Sequence, residues 1–140
     1  MTTAERTLEG SCLCGKVRYR ITGPLGPMSN CHCTDCRKSH GAAFSTYVDV
    51  PKSGFAFLKG EDNLGTYRAE SGTRRSFCRT CGSTLTCFSD DQPGLVEVAP
   101  ATLDTPIQNR PEYHLFVRSK VPWFDIQDGK PQHQAYPEKK

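Results

Sequence analysis

Seven of the eight cysteines in this chain fall into three short clusters: Cys12-Leu13-Cys14, Cys31-His32-Cys33-Thr34-Asp35-Cys36 and Cys78-Arg79-Thr80-Cys81. A thiolate is a soft ligand that holds zinc at about 2.3 Å, and four thiolates close a tetrahedral site. Seven clustered thiols are too many for one such ion and one short of filling two. The arithmetic points to one closed four-cysteine site and one three-cysteine site with an open position. A closed site is structural, whereas three protein ligands and an open position are the pattern of a catalytic zinc.

The chain must deliver these thiols from short, stiff pieces. In an extended strand residues i and i+2 share a face, so Cys12 and Cys14 can meet one ion, with Gly15 turning the chain behind them. Cys78 and Cys81 form a CxxC knuckle, and Gly82 supplies the freedom at positive φ that the tight turn needs. Cys31, Cys33 and Cys36 lie close enough together to share an ion. Spacing alone does not decide which pairs do so, because the middle cluster can pool with either flanking pair. Cys87, His32, His40 or Asp35 can also close the three-cysteine site, and a single ion beside free buried thiols fits the same sequence. Cys87, which shares a strand face with Leu85, reads as a small buried apolar residue. Iron suits a four-sulfur set as well as zinc does.

The 140 residues fit one domain, residues 1–140, with a core over about 8–128 and a polar, loose tail over about 127–140. Apolar residues make up only 36 %, so metal ligation is expected to supply part of the folding energy. A net charge of +3 suits small anionic ligands and falls short of the concentrated basic face of a nucleic-acid binder. The polar start, Met1 to Gly10, lacks the apolar stretch of a secretory signal. No apolar run approaches the roughly 20 residues that span a bilayer. The expectation is a cytoplasmic protein without membrane contact, whose thiols stay reduced and bind metal.

Twelve glycines and ten prolines leave little room for long helices. Strand-like alternation is easy to find at Lys16 to Ile21, Phe44 to Val50 and Phe55 to Leu58. Leu64 to Arg68 and Arg74 to Phe77 read as a hairpin around Glu70-Ser71-Gly72. Leu85 to Phe88, Leu95 to Val98 and His114 to Val117 complete the set. A short helical turn is expected after Cys36, over Arg37-Lys38-Ser39. The fold class is mainly β, built from several small twisted sheets.

The string Gly10-Ser11-Cys12-Leu13-Cys14-Gly15-Lys16-Val17-Arg18-Tyr19 resembles the opening motif of the glutathione-dependent formaldehyde-activating enzyme family, which includes the centromere protein V domain. The likeness continues through Cys31-His32-Cys33-Thr34-Asp35-Cys36-Arg37-Lys38, Gly41 and Phe44. It resumes at Phe77-Cys78-Arg79-Thr80-Cys81-Gly82-Ser83 and Leu103-Asp104, with Pro106, His114 and Trp123 after them. The resemblance implies an Mss4-like fold of small antiparallel sheets stapled by zinc. It also implies a division of ligands: Cys12, Cys14, Cys78 and Cys81 around a structural zinc, and Cys31, Cys33 and Cys36 around a catalytic one. Ala101 stands where the family pattern has glycine.

The chemistry expected is that of a carbon–sulfur lyase, forming or breaking an S-hydroxymethyl adduct between a thiol such as glutathione and an aldehyde such as formaldehyde. A thiol that coordinates zinc is deprotonated by it, and three thiolates make the ion a poor generator of hydroxide. Arg37, Lys38, Arg74, Arg75 and Arg79 are candidates to hold the carboxylates of the thiol, and His40 is a candidate to reach the open site. His32 and His114 read as hydrogen-bonded structural histidines, Asp104 as a turn or capping residue, and Trp123-Phe124 as packing. Two other readings fit the same cysteines: a non-catalytic zinc-binding interaction module, and a redox or metal sensor.

Overall fold

A computed structural model describes residues 6–137; Met1 to Glu5 and Glu138 to Lys140, including the end of the expected tail, lie outside the described residues. In chain order the elements are β1 (Thr7–Ser11), β2 (Arg18–Thr22), β3 (Met28–Cys31), α1 (Thr34–His40), β4 (Ser45–Pro51) and β5 (Phe55–Lys59). They continue as β6 (Leu64–Arg68), β7 (Thr73–Cys78), β8 (Thr84–Ser89), β9 (Leu95–Val98) and β10 (Tyr113–Leu115). The fold is mainly β with more than one sheet, as the residue pattern and the Mss4-like resemblance imply, although β3 and β10 pair parallel where antiparallel sheets were expected. Two compact units form, one from residues 1–26 and 48–108, the other from residues 27–47 and 109–140.

In the first unit β1 pairs antiparallel with β2, and β2 with β5. The alternation of β2 is realised: Tyr19 and Ile21 are fully buried while Arg20 faces solvent. β1 carries Gly10 opposite Tyr19, and a side chain at Gly10 would collide with the Tyr19 ring. A second antiparallel ladder runs through the end of β4, β9, β8, β7 and β6. Val48, Val50 and Val98 lie at zero exposure on one face, and Leu85 is equally buried on the other. The hairpin between β6 and β7 closes as expected, with Ala69 N–H bonded to Thr73 C=O at 2.8 Å and Gly72 at φ 92°.

In the second unit β3 pairs parallel with β10, so that Cys31 lies opposite Leu115. The helix is longer than the expected turn and begins within the cysteine cluster. Its N-cap is Cys33, whose Sγ accepts the Cys36 N–H at 3.2 Å, the service usually given by Ser, Thr, Asp or Asn. Gly41 ends it at φ 62°, its N–H bonded to Arg37 C=O.

The described part of the tail is fixed rather than loose. His114 N–H bonds Pro131 C=O, His133 N–H bonds His114 C=O, and Phe116 N–H bonds Ala135 C=O, at 2.9–3.1 Å. These main-chain bonds leave no apolar pattern in the sequence, which is why a polar composition read as disorder.

Candidate metal centres

Each unit holds one cysteine group. In the first unit the Sγ atoms of Cys12, Cys14, Cys78 and Cys81 all lie within 4.8 Å of one another. Cys12 and Cys14 are not in a strand, contrary to the i, i+2 expectation, but in a turn just beyond β1. That turn and the second knuckle are each closed by a glycine, over three residues in the first and four in the second. Gly15 N–H bonds Cys12 C=O at 3.1 Å, and Gly82 N–H bonds Cys78 C=O at 2.8 Å. Both glycines sit at positive φ, 81° and 79°, where a Cβ would strain the backbone.

Donors converge on these sulfurs. Val17 N–H reaches Cys12 Sγ at 3.2 Å, Asn63 Nδ2 reaches Cys78 Sγ at 3.4 Å, and Ser83 Oγ lies 3.2 Å from Cys81 Sγ. The Ser83 hydroxyl, with its own N–H, pulls the Cys81 thiol down to about 5. Cys12 and Cys14 Sγ are 3.7 Å apart and Cys14 and Cys78 Sγ 3.8 Å, non-bonded distances well beyond a disulfide. None of the eight cysteines forms a disulfide. A reduced, four-sulfur cage with donors aimed at sulfur fits a thiolate-bound ion such as zinc.

In the second unit the Sγ atoms of Cys31, Cys33 and Cys36 make the other group within 4.8 Å, with no fourth His, Cys, Asp or Glu grouped with them among the described residues. Cys31 comes from the end of β3, Cys33 from the cap and Cys36 from the first turn of α1. The Cys33 thiol, then that of Cys36, then burial drive the Cys31 thiol above its ordinary range. Three packed thiols cannot all ionise by themselves; a divalent cation is what makes the set of thiolates affordable. The donor set therefore also fits zinc.

Against α1 lies a cleft of about 250 Å³ lined by Arg37, Lys38, Gly41, Ala42, Val121 and Trp123. Trp123, expected to pack, is 71 % exposed on its wall, whereas Phe124 packs on Phe44 at 5.3 Å between ring centres. Arg37 donates to Thr34 Oγ1 at 3.2 Å, and its buried Nε meets no acceptor. The remaining candidates lie elsewhere. His40 Nε2 bonds Tyr47 Oη at 3.0 Å. Arg74, in the first unit, bonds Asp90 at 2.7 Å and stacks on Phe88, with Arg75 beside it on β7. Arg79 donates to Asp62 C=O at 2.9 Å. Cys87 is buried, and Asp104 accepts from Ser11 Oγ at 2.7 Å while its N–H bonds Glu9 C=O.

His32 and His114 are buried and joined by a hydrogen bond of 2.9 Å. Burial, then the His114 ring and Lys120, push His32 down to about 4, so it is neutral at physiological pH. His114 Nε2 in turn meets Asp128 Oδ2 at 2.8 Å. Sequence reasoning placed the two histidines among structural residues but missed their mutual bond and missed Asp128. No spacing signal marks them, because the partners are 82 and 14 residues apart. Asn63, 15 residues from Cys78, was missed for the same reason; Ser83, two residues from Cys81, was named only as part of the motif.

Comparison with known proteins places this geometry in context. The profile of the family described as glutathione-dependent formaldehyde-activating enzyme matches residues 7–119. A protein of Halomonas elongata, whose name assigns it provisionally to glutathione-dependent formaldehyde activation, is 32 % identical over 127 residues. The match covers 86 % of this chain and 81 % of that one. An uncharacterized lyase of Schizosaccharomyces pombe is 31 % identical over 77 residues, 55 % of this chain and 54 % of that one. Among solved structures, a Rhodobacter sphaeroides protein superposes with a TM-score of 0.61 at 24 % identity, covering 71 % of this chain and 91 % of that one; this likeness is one of fold.

Proposed function

Because the chain belongs to the glutathione-dependent formaldehyde-activating enzyme family, we propose that it is a carbon–sulfur lyase-like enzyme that makes or breaks thiol–aldehyde adducts. Glutathione and formaldehyde, the pair in the family's name, are the first substrates to test. The observation that carries this reading is the three-thiol group of Cys31, Cys33 and Cys36, which meets at the start of α1, the helix whose Arg37 and Lys38 line a cleft.

Cys31, Cys33 and Cys36 would hold one zinc, and Cys12, Cys14, Cys78 and Cys81 a second, structural one. A zinc held by these three cysteines would supply a Lewis acid able to acidify a substrate thiol. The chain's own residues do the rest. Arg37 and Lys38 present cations to the cleft, where charge-assisted hydrogen bonds could hold a carboxylate. Anchoring the thiol by its carboxylate turns an encounter in solution into a positioned one. Sulfur then attacks the aldehyde carbon, a C–S bond forms, and the carbonyl oxygen takes up the proton the thiol lost. In the reverse direction the C–S bond breaks and the hydroxyl proton returns to sulfur.

The decisive experiment joins two measurements on protein purified without chelator. Elemental analysis should give about two zinc ions per chain. Exchange spectroscopy on glutathione and formaldehyde should show adduct interconversion accelerated by the protein and abolished in Cys33→Ser. Two zinc ions without acceleration by any carboxylate-bearing thiol would overturn the lyase reading and leave a zinc-binding interaction module.

A further inference from the structure

Beside the three thiols, the second unit buries polar groups that the proposed reaction does not use. His32 is 0 % exposed and His114 2 %, whereas the side chain of Asp128 is 41 % exposed. The bonds Asp128 Oδ2 to His114 Nε2, and His114 Nδ1 to His32 Nε2, run from solvent to the segment between two of the cysteines. An ionised carboxylate only accepts, so His114 donates from Nε2 and, as a neutral ring, accepts at Nδ1. His32 then donates from Nε2, and its Nδ1 keeps a bare lone pair. That Nδ1 is buried without a partner.

Two apolar rings would fill the same space without burying ring nitrogens, one of them unpaired. What the polar pair adds is orientation. Phe44 packs against His32 at 4.9 Å and against His114 at 6.2 Å, and the hydrogen bonds fix which way each ring is turned. The backbone on either side of the held His32 ring carries Cys31 and Cys33.

We infer that Asp128 is a positioning residue for the Cys31, Cys33 and Cys36 centre, acting through His114 and His32 to hold the segment that carries two of its three thiols. Asp128 lies beyond residue 119, where the family match ends, and is supplied by the C-terminal segment bonded along β10. The segment that follows β10 thus helps to position the centre. The inference rests on the metal assignment in the proposed function but not on its reaction.

The test uses the zinc-loaded full chain, without thiol or aldehyde substrate. Release of zinc to a chelating dye should show one phase per site. Asp128→Asn should speed one phase by about 10-fold, the scale of outer-shell partners elsewhere, and leave the other unchanged. Asp128→Glu should restore most of the loss. Imidazole ¹⁵N spectra should show His32 as the Nε2–H tautomer in the wild type and as a mixture in Asp128→Asn. Unchanged release in Asp128→Asn, equal acceleration of both phases, or a wild-type His32 protonated at Nδ1 would overturn the inference. A chain that takes up a single zinc would refute the metal assignment instead, and the ¹⁵N spectra would then decide the role of Asp128 alone.

Discussion

Ser83 Oγ, just past the second knuckle of the first unit, accepts the backbone N–H of Leu13 in the first knuckle at 2.9 Å. The same oxygen lies 3.2 Å from Cys81 Sγ, so its proton is free to point at sulfur. One hydroxyl thus joins two pieces of chain 70 residues apart and supports a thiolate. Ser83→Ala should cost about 1–2 kcal/mol, the scale of one lost hydrogen bond plus a weakened one to a charged group. Thermal melts at fixed zinc should show it, and adding chelator should widen the gap. Equal melting temperatures would mean that the two knuckles are held by metal alone.

Gly10 is a glycine because the Tyr19 ring occupies the place of its side chain. A Cβ there would fall on Tyr19 Cζ and Oη and stand 2.7 Å from the Thr102 carbonyl oxygen. Tyr19 cannot yield easily, since its hydroxyl is bonded to Thr102 Oγ1 at 2.6 Å and its ring stacks on Phe55 at 5.3 Å. Gly10→Ala should destabilise the chain by at least the 1–3 kcal/mol typical of overpacking. Urea unfolding measures this, and a loss below about 0.5 kcal/mol would show that the ring moves aside freely.

The same tyrosine sets an alkaline limit. Burial pushes its phenol up to about 12, against the pull of the Thr102 hydroxyl. An unfolded tyrosine ionises near 10. Below that pH both states keep the proton and the contribution to stability is whole. Between about 10 and 12 the unfolded chain gives up its proton while the native one holds it, so stability falls as pH rises. The two-unit gap corresponds to about 3 kcal/mol at most. Tyr19→Phe should be less stable than wild type at neutral pH yet lose less between about pH 9 and 11, read from urea midpoints. Parallel losses would mean that the phenol titrates as if exposed.

Much of this fold could be read from alternation and turn residues, and what could not has a physical cause. β6 and β9 fall where Leu64 to Arg68 and Leu95 to Val98 place them, because turn residues bound each run. β1 was missed since Gly10 reads as a breaker, although here it is a close approach to Tyr19. β3, Met28-Ser29-Asn30-Cys31, has no β-branched residue, and its parallel partner β10 lies far along the chain. The early start of α1 was hidden by a thiol doing the work of a cap. Both thiol groups were legible because ligand spacing is local. Their outer partners Asn63 and His114 were not, since hydrogen bonds across long separations leave no periodic mark.

Two cysteine substitutions should behave oppositely. Cys33→Ser removes one donor from the three-thiol centre but leaves serine, a preferred N-cap, to accept the Cys36 N–H. Its fold should survive, with one zinc lost. Cys81→Ser opens the four-thiol cage of the first unit, where metal binding is expected to supply folding energy on the order of 10 kcal/mol. That variant should unfold or aggregate. Circular dichroism and zinc content together decide, and a folded Cys81→Ser beside an unfolded Cys33→Ser would exchange the roles of the two centres.

Arg37 offers the sharpest test of how a thiol is held. Its guanidinium lines the cleft beside Lys38, with Nε buried and unpaired, and a hydrogen bond to a charged partner is worth about 1.5–3 kcal/mol. Replacing it by glutamine keeps some hydrogen bonding but shortens the side chain and removes the charge. If Arg37 holds a carboxylate in the bound thiol, Arg37→Gln should raise KM for glutathione by roughly 10- to 100-fold and leave kcat nearly unchanged, because the anchor is made equally before and during the reaction. The same variant should treat 2-mercaptoethanol, which has no carboxylate, as the wild type does. A loss shared by both thiols would place Arg37 among the residues that support α1, and the carboxylate anchor would have to be sought on Lys38.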